Sequence, residues 1–205
     1  MKTNDIEFIT PSSKLRCYCN TLRVKVNDLY KYCNKDFTDS KCKFGCTNYK
    51  QKWSCPPYSP NYINFSSKYS NIIIIVLSME MWQFSYIKND YLKIKAANTI
   101  MKSRIDKVLR NYIDNNHYYI STGSCRLCKP CKCKIGDSCM HPDLMSYSFE
   151  SLGINVSIML KDLLEFELLW YKKGELPKYT SVVAGLLYNG DFVEEEIIQK
   201  LKLLK

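Results

Sequence analysis

Apolar positions along this chain recur with periods that predict its elements. After an extended start, RVKVNDLYKYCN alternates Val24, Val26 and Leu29, the pattern of a strand or of a strand and turn. From Asn61, NYINFSSKYS predicts a short helix. NIIIIVLSM is a near-continuous β-branched run, the mark of a strand covered on both faces. Asn89 and Asp90 offer N-caps to a long helix reaching about Asn115. Its Ile94, Ala97, Met101, Ile105, Val108 and Tyr112 recur at three- and four-residue steps, one stripe that reads as core. HYYIST predicts a second short strand. Ser148 to Leu152 reads as a helical turn ended by Gly153, and INVSIMLKDLLEFELLWYKK as a strand running into a helix. After the break at Gly174 and Pro177, YTSVVAGLLYN is a further strand. Asp191 is placed to cap a last helix, FVEEEIIQKLKLLK, with acids early and lysines late as the helix dipole favours. Strands alternating with helices predict one α/β domain over residues 1–205. Its sheet is expected to be mixed or parallel and flanked by helices, with two cysteine-rich loops at its edge.

Those loops carry the candidate chemistry. Residues 122–143 hold Cys125, Cys128, Cys131, Cys133 and Cys139, punctuated by Gly123, Pro130, Gly136 and Pro142. Glycine and proline at these positions predict a tight loop outside helix and strand. Two consecutive Cys-x-x-Cys steps point several sulfurs toward one centre, as an iron–sulfur cluster or zinc requires. Residues 33–60 form the first cysteine loop, with Cys42, Cys46 and Cys55. The proline after Cys55 removes a backbone donor and stiffens the loop, and a Cys-Pro step also closes the bacterial ferredoxin run. Trp53 and Tyr58 flank Cys55 and could shield a cluster from water. A fourth ligand for this group is open: Cys33 leads, with Cys17, Cys19 and Cys133 behind it. Cys17 and Cys19 would project from the same face of a strand.

Composition narrows the compartment and the partners. The longest apolar run, Ile72 to Leu77, is far short of the ~20 residues that span a bilayer. The start, MKTNDIEFITPSS, lacks the apolar region of a signal peptide. A cytoplasmic protein is therefore expected, with no membrane partner. In a reducing compartment, eleven cysteines point to metal or redox chemistry and not to disulfides. With only His117 and His141 to supplement them, any metal site is mostly thiolate, which argues against copper(II), nickel or hydrolytic zinc. His117 reads as a surface residue at a strand end, and His141 as a turn cap, with a metal ligand or a donor to cluster sulfur as the alternatives. The net charge of +10 raises the question of nucleic acid. Lysine supplies 25 of the 30 cations, spread along the chain, so a phosphate-reading surface is not expected.

The motifs also carry a resemblance. CKFGCTNY from Cys42, WSCPPY from Trp53, GSCRLCKPC from Gly123, CMHP from Cys139 and SFESLGINV from Ser148 together resemble one family. It is the cysteine-rich predicted metal-binding proteins of bacteria and archaea, mostly anaerobes, a domain of unknown function. The resemblance implies that Cys42, Cys46 and Cys55 form one set, and Cys125, Cys128, Cys131 and Cys139 the other. Cys133 then stands as an extra cysteine, and Cys17 and Cys19 fall outside the shared motifs.

The leading functional expectation is an iron–sulfur protein with one or two [4Fe–4S] clusters, in electron transfer or in sulfur or redox chemistry. Its partners would be a redox protein or a small sulfur-containing substrate. A three-cysteine set leaves a coordination position open, which is what separates catalytic from closed structural centres. The alternative is a zinc-stabilised module that binds a protein or nucleic-acid partner. Metal-free thiol chemistry is the third class, and it needs a thiolate activated by a nearby cation such as Arg126 or Lys129.

Overall fold

Strand β3 (Asn71–Glu80) runs through the centre of the molecule, and each of its residues from Ile72 to Met79 is buried. A computed structural model describes residues 2–11 and 13–204, with nothing stated of the Lys2 side chain. Around β3 stand β1 (Lys2–Thr10), β2 (Ser13–Lys25), β4 (His117–Ile120) and β5 (Tyr179–Tyr188). They form one five-stranded sheet in the order β1-β2-β3-β5-β4. The α-helices are α1 (Lys35–Gly45), α2 (Tyr62–Ser66), α3 (Asp90–Leu109), α4 (Val156–Leu164) and α5 (Glu194–Leu203).

The continuous apolar run of β3 is explained by burial on both sides. Ile73, Ile75, Leu77 and Met79 face one core with Ile94, Ala97, Met101 and Ile105 of α3 and Ile197, Ile198 and Leu201 of α5. Ile72, Ile74 and Val76 face a second core with Leu29, Tyr62, Phe149, Ile154 and α4. Cys17 and Cys19 of β2 are fully buried in the first core, on one strand face as the spacing predicts.

Every strand pairing is antiparallel, so the expected mixed or parallel sheet is corrected. A run buried on both faces is typical of parallel strands joined by crossover helices. Here helices cover both faces of an antiparallel sheet: the excursions from β2 to β3 and from β4 to β5 return the chain to the sheet end it left. Although α3 carries the chain from Glu80 across to His117 at the other end, β4 pairs with β5 and not with the like-directed β3. Lys25 at the end of β2 pairs with Asn71 at the start of β3, and residues 26–70, with the first cysteine stretch, form the excursion between them. The second cysteine stretch leaves the end of edge strand β4, extended by a bridge between Ser121 and Ser148.

Local expectations fare unevenly. Asn89 caps α3 by accepting from the Leu92 N–H, and the predicted apolar stripe from Ile94 to Val108 is its buried face, but the helix ends at Leu109 and not near Asn115, which leaves Tyr112 in a following 3₁₀ turn. No strand precedes α4; Ile154 makes only a single bridge to Cys33. The cap of α5 is Val193 and not Asp191. Among the described residues, no helix is long and apolar enough to cross a membrane.

Candidate metal centre

The first cysteine stretch is half helix. Cys42 lies in the last turn of α1 and Cys46 is its C-cap, with the Cys46 N–H donating to the Cys42 carbonyl at 3.1 Å. Three intervening residues thus place both thiols on one side of the helix end. The chain then folds through turns to Cys55, whose carbonyl accepts from the N–H groups of Tyr58 and Ser59. Cys42, Cys46 and Cys55 line one cavity of about 330 Å³, together with Asn48, Tyr49 and Glu150.

The placement of α1 depends on the segment Ser148–Val156. Asn34, the N-cap of α1, donates its backbone N–H to the Gly153 carbonyl at 2.7 Å. Tyr62 donates to the Leu152 carbonyl at 2.7 Å and Ser59 Oγ to that of Ser151 at 2.7 Å. Gly153 has φ +99°, and a Cβ there would stand 3.0 Å from the Lys35 Cα. Only glycine suits both the left-handed backbone and the close approach of α1.

The second stretch remains loop, broken only by 3₁₀ turns at Lys132–Ile135 and Pro142–Leu144. Cys125, Cys128, Cys131 and Cys139 line a second, much smaller cavity of about 20 Å³, with Leu127, His141 and Met145. Its wall is completed from the first stretch by Trp53 and Ser54. Trp53 therefore covers the four-cysteine set and not its sequence neighbour Cys55. Its Nε1 donates to the Asp137 carbonyl at 2.9 Å, and its ring meets Tyr58 edge-on at 4.8 Å.

The two cavities share a wall. Buried Ser54 accepts at Oγ from the Cys125 N–H at 3.0 Å. Lys52 Nζ donates to Ser124 Oγ at 3.1 Å and to the Cys125 carbonyl at 2.8 Å. Thr122, Gly123 and Ser124 line the three-cysteine cavity on one side, and Cys125 begins the four-cysteine set on the other.

Burial governs the thiols. It pushes Cys55 up to about 11, with the neighbouring Cys46 and Cys42 adding to the shift. It raises Cys42 as well, again reinforced by Cys46, and Cys128, reinforced by Cys131, Cys125 and Cys139. These three thiols, held protonated in this way, are poor free nucleophiles. They suit metal, whose binding displaces the protons. Among the described residues no three Cys, His, Asp or Glu side chains converge as closely as a single bound ion requires, so each set is defined by the cavity it lines.

The remaining cysteines stand apart from both cavities. Cys33 donates to Asn61 Oδ1 at 3.6 Å and lines neither. Cys133 is buried, with its sulfur 3.9 Å from the Lys50 carbonyl oxygen. Burial raises the Cys17 thiol well above its ordinary value and Cys19 to about 12. His141 lines the four-cysteine cavity, whereas His117 pairs with Asp114 at 2.9 Å on β4. Lys102, on α3, lines the three-cysteine cavity and went unseen in the sequence, where it is one lysine among many on a helix read for its apolar face. Burial, reinforced by the nearby Arg126, lowers its ammonium from the ordinary value.

A family model, DUF2284, described as a predicted metal-binding protein, matches residues 29–188, a span that contains both cysteine sets. No curated protein and no solved structure matches the chain.

Proposed function

The chain belongs to this family of predicted metal-binding proteins, and on that premise we propose an iron–sulfur protein holding one or two [4Fe–4S] clusters. The observation that carries the reading is the sorting of seven cysteines into two cavities with a common wall. Cys125, Cys128, Cys131 and Cys139 would hold one cluster as a closed four-thiolate set. Cys42, Cys46 and Cys55 would hold the other with one position open to the larger cavity. Such clusters, when bound, supply one-electron transfer and, at an iron without a protein ligand, a place for an external ligand.

The protein's own groups suit these two roles. Trp53 screens the four-cysteine set from water, and the Ser54 hydroxyl fixes the backbone that enters it. The three-cysteine cavity is the roomier, and its lining adds Asn48, Tyr49 and Lys102 as polar contacts for a bound molecule. We assign the closed set to electron exchange with a redox partner protein and the open set to a small sulfur-containing substrate.

One observation favours a second reading, a zinc-stabilised binding module. The cavity that the four thiols line, about 20 Å³, is far smaller than the three-cysteine cavity, and a single tetrahedral ion would bind there by drawing the thiols together. Metal and sulfide analysis with an absorption spectrum, on protein purified without oxygen, decides between the two. The iron–sulfur reading expects brown protein with iron and acid-labile sulfide in near-equal amounts. Colourless folded protein with stoichiometric zinc would overturn it.

A further inference from the structure

A third pocket, of about 80 Å³, adjoins the three-cysteine cavity and shares with it Lys102 and residues 122–124. No cysteine lines it. Its walls instead carry three cations, Lys102, Arg110 and Arg126, against one carboxylate, Asp106. That carboxylate is already engaged, since Arg110 holds it through Nε at 3.3 Å and an NH2 contact of 2.7 Å. Arg110 also donates to the Leu144 carbonyl at 2.6 Å and to Ser146 Oγ at 3.3 Å. This pair is satisfied and forms the rigid back of the pocket.

Lys102 and Arg126 are the uncompensated charges. Neither has a carboxylate partner within ion-pair distance among the described residues. The two cations repel each other across the pocket, and the one further acid that acts on Lys102, Glu150, lines the neighbouring cavity. The Lys102 ammonium reaches over the loop backbone, 3.8 Å from where a Cβ on Gly123 would stand. Hydroxyls of Thr122, Ser124 and Ser146 complete the lining. A half-buried ammonium beside a second cation in a hydroxyl-lined pocket repels its neighbour, and an anion between them would relieve that repulsion through charge-assisted contacts to both.

We propose that this pocket binds a small tetrahedral oxyanion of the phosphate or sulfate class beside the three-cysteine cavity. A volume of about 80 Å³ holds a few waters or one such group, and the donors come from α3, the 121–126 loop and Ser146 on different sides. The anion is either free or the terminal group of a larger molecule whose remainder lies in the adjoining cavity. The pocket uses no cysteine side chain, so the inference is independent of which metal the chain holds.

Calorimetric titration with inorganic phosphate, at ionic strength held constant with chloride, tests it on protein purified without oxygen. One saturable site per chain is expected. Lys102→Gln and Arg126→Gln should each weaken binding about tenfold or more, because each removes a charge-assisted contact. Lys107→Gln, exposed on the same helix, should leave binding unchanged. Arg126 is exposed, so its variant carries the test if Lys102→Gln does not fold. Tighter binding of inorganic phosphate than of glycerol phosphate identifies a free anion, and the reverse identifies a terminal group; either supports the site. Absence of saturable binding in the wild type, or binding that survives Arg126→Gln intact, overturns it. Metal analysis of the same samples reads the cluster assignment separately.

Discussion

The buried hydroxyl of Ser54, next to Cys55 in the first cysteine stretch, accepts the backbone N–H of Cys125, the first cysteine of the second stretch. Seventy-one residues separate the two, and their bond at 3.0 Å makes one structure of two loops. Ser54→Ala leaves that N–H without its partner, at a cost of ~1–3 kcal/mol. For a chain of this size the melting temperature should fall by ~2–10 °C. Both cysteine sets should also lose metal faster to a chelator. If only one set became labile, the shared wall would not couple them.

Gly153 is the second point where a small change reaches the site from outside it. Gly153→Ala forces a side chain into a left-handed backbone and against Lys35, whose Cα would be 3.0 Å away. The expected loss is ~1–3 kcal/mol in chemical denaturation. Because α1 starts at Lys35 and carries Cys42, metal at the three-cysteine set should be depleted more than at the four-cysteine set. Equal depletion of both sets would mean that the segment supports the fold alone.

Long periodic patterns were legible in the sequence and pairing direction was not. The stripe Ile94 to Val108 is the buried face of α3, and the run Ile72 to Leu77 is buried on both sides as read. The alternation of strands with helices suggested a mixed or parallel sheet, since covering helices usually arrive through crossovers; nothing in the residues of β3 encodes that the chain returns at Asn71 beside Lys25. Spacing grouped Cys125, Cys128 and Cys131, which do share a cavity. It could not reveal that Trp53 covers them, or that Lys102 reaches the loop from α3, because those contacts join residues far apart in the chain. Cys17 and Cys19 lie in the apolar core under β2 and line neither cavity, a distinction that depends on tertiary packing.

Cys19 offers a pH test away from the candidate site. Its thiol is held protonated to about 12 by burial, reinforced by the Glu194 carboxylate, whereas an unfolded thiol releases its proton near 8.5. Between those values the unfolded state binds fewer protons, so stability falls as pH rises. At pH 10 the loss from Cys19 alone is about 1–2 kcal/mol relative to pH 7. Denaturant titrations at the two pH values should show this decline shrinking in Cys19→Ala. An unchanged decline would mean that other groups, lysines among them, set the alkaline limit.

On the proposed iron–sulfur reading, an open position at the three-cysteine set would be the route from a metal centre to a reaction, and Cys33 decides it. A fourth thiolate from Cys33 would close the set and leave an electron carrier. The structure has Cys33 hydrogen-bonded to Asn61 and outside the cavity that Cys42, Cys46 and Cys55 line. Cys33→Ser should therefore keep the wild-type iron content, while Cys42→Ser should lose iron from one set. Added small thiol or sulfide should then change the absorption and electron paramagnetic resonance signals of one cluster and leave the other untouched. Cys128→Ser identifies which signal remains, because it removes the closed set and leaves the open one to respond. Should Cys33→Ser instead cost as much iron as Cys42→Ser, with the wild type indifferent to added thiol, both sets are closed. Substrate chemistry at this centre would then be withdrawn in favour of electron transfer alone.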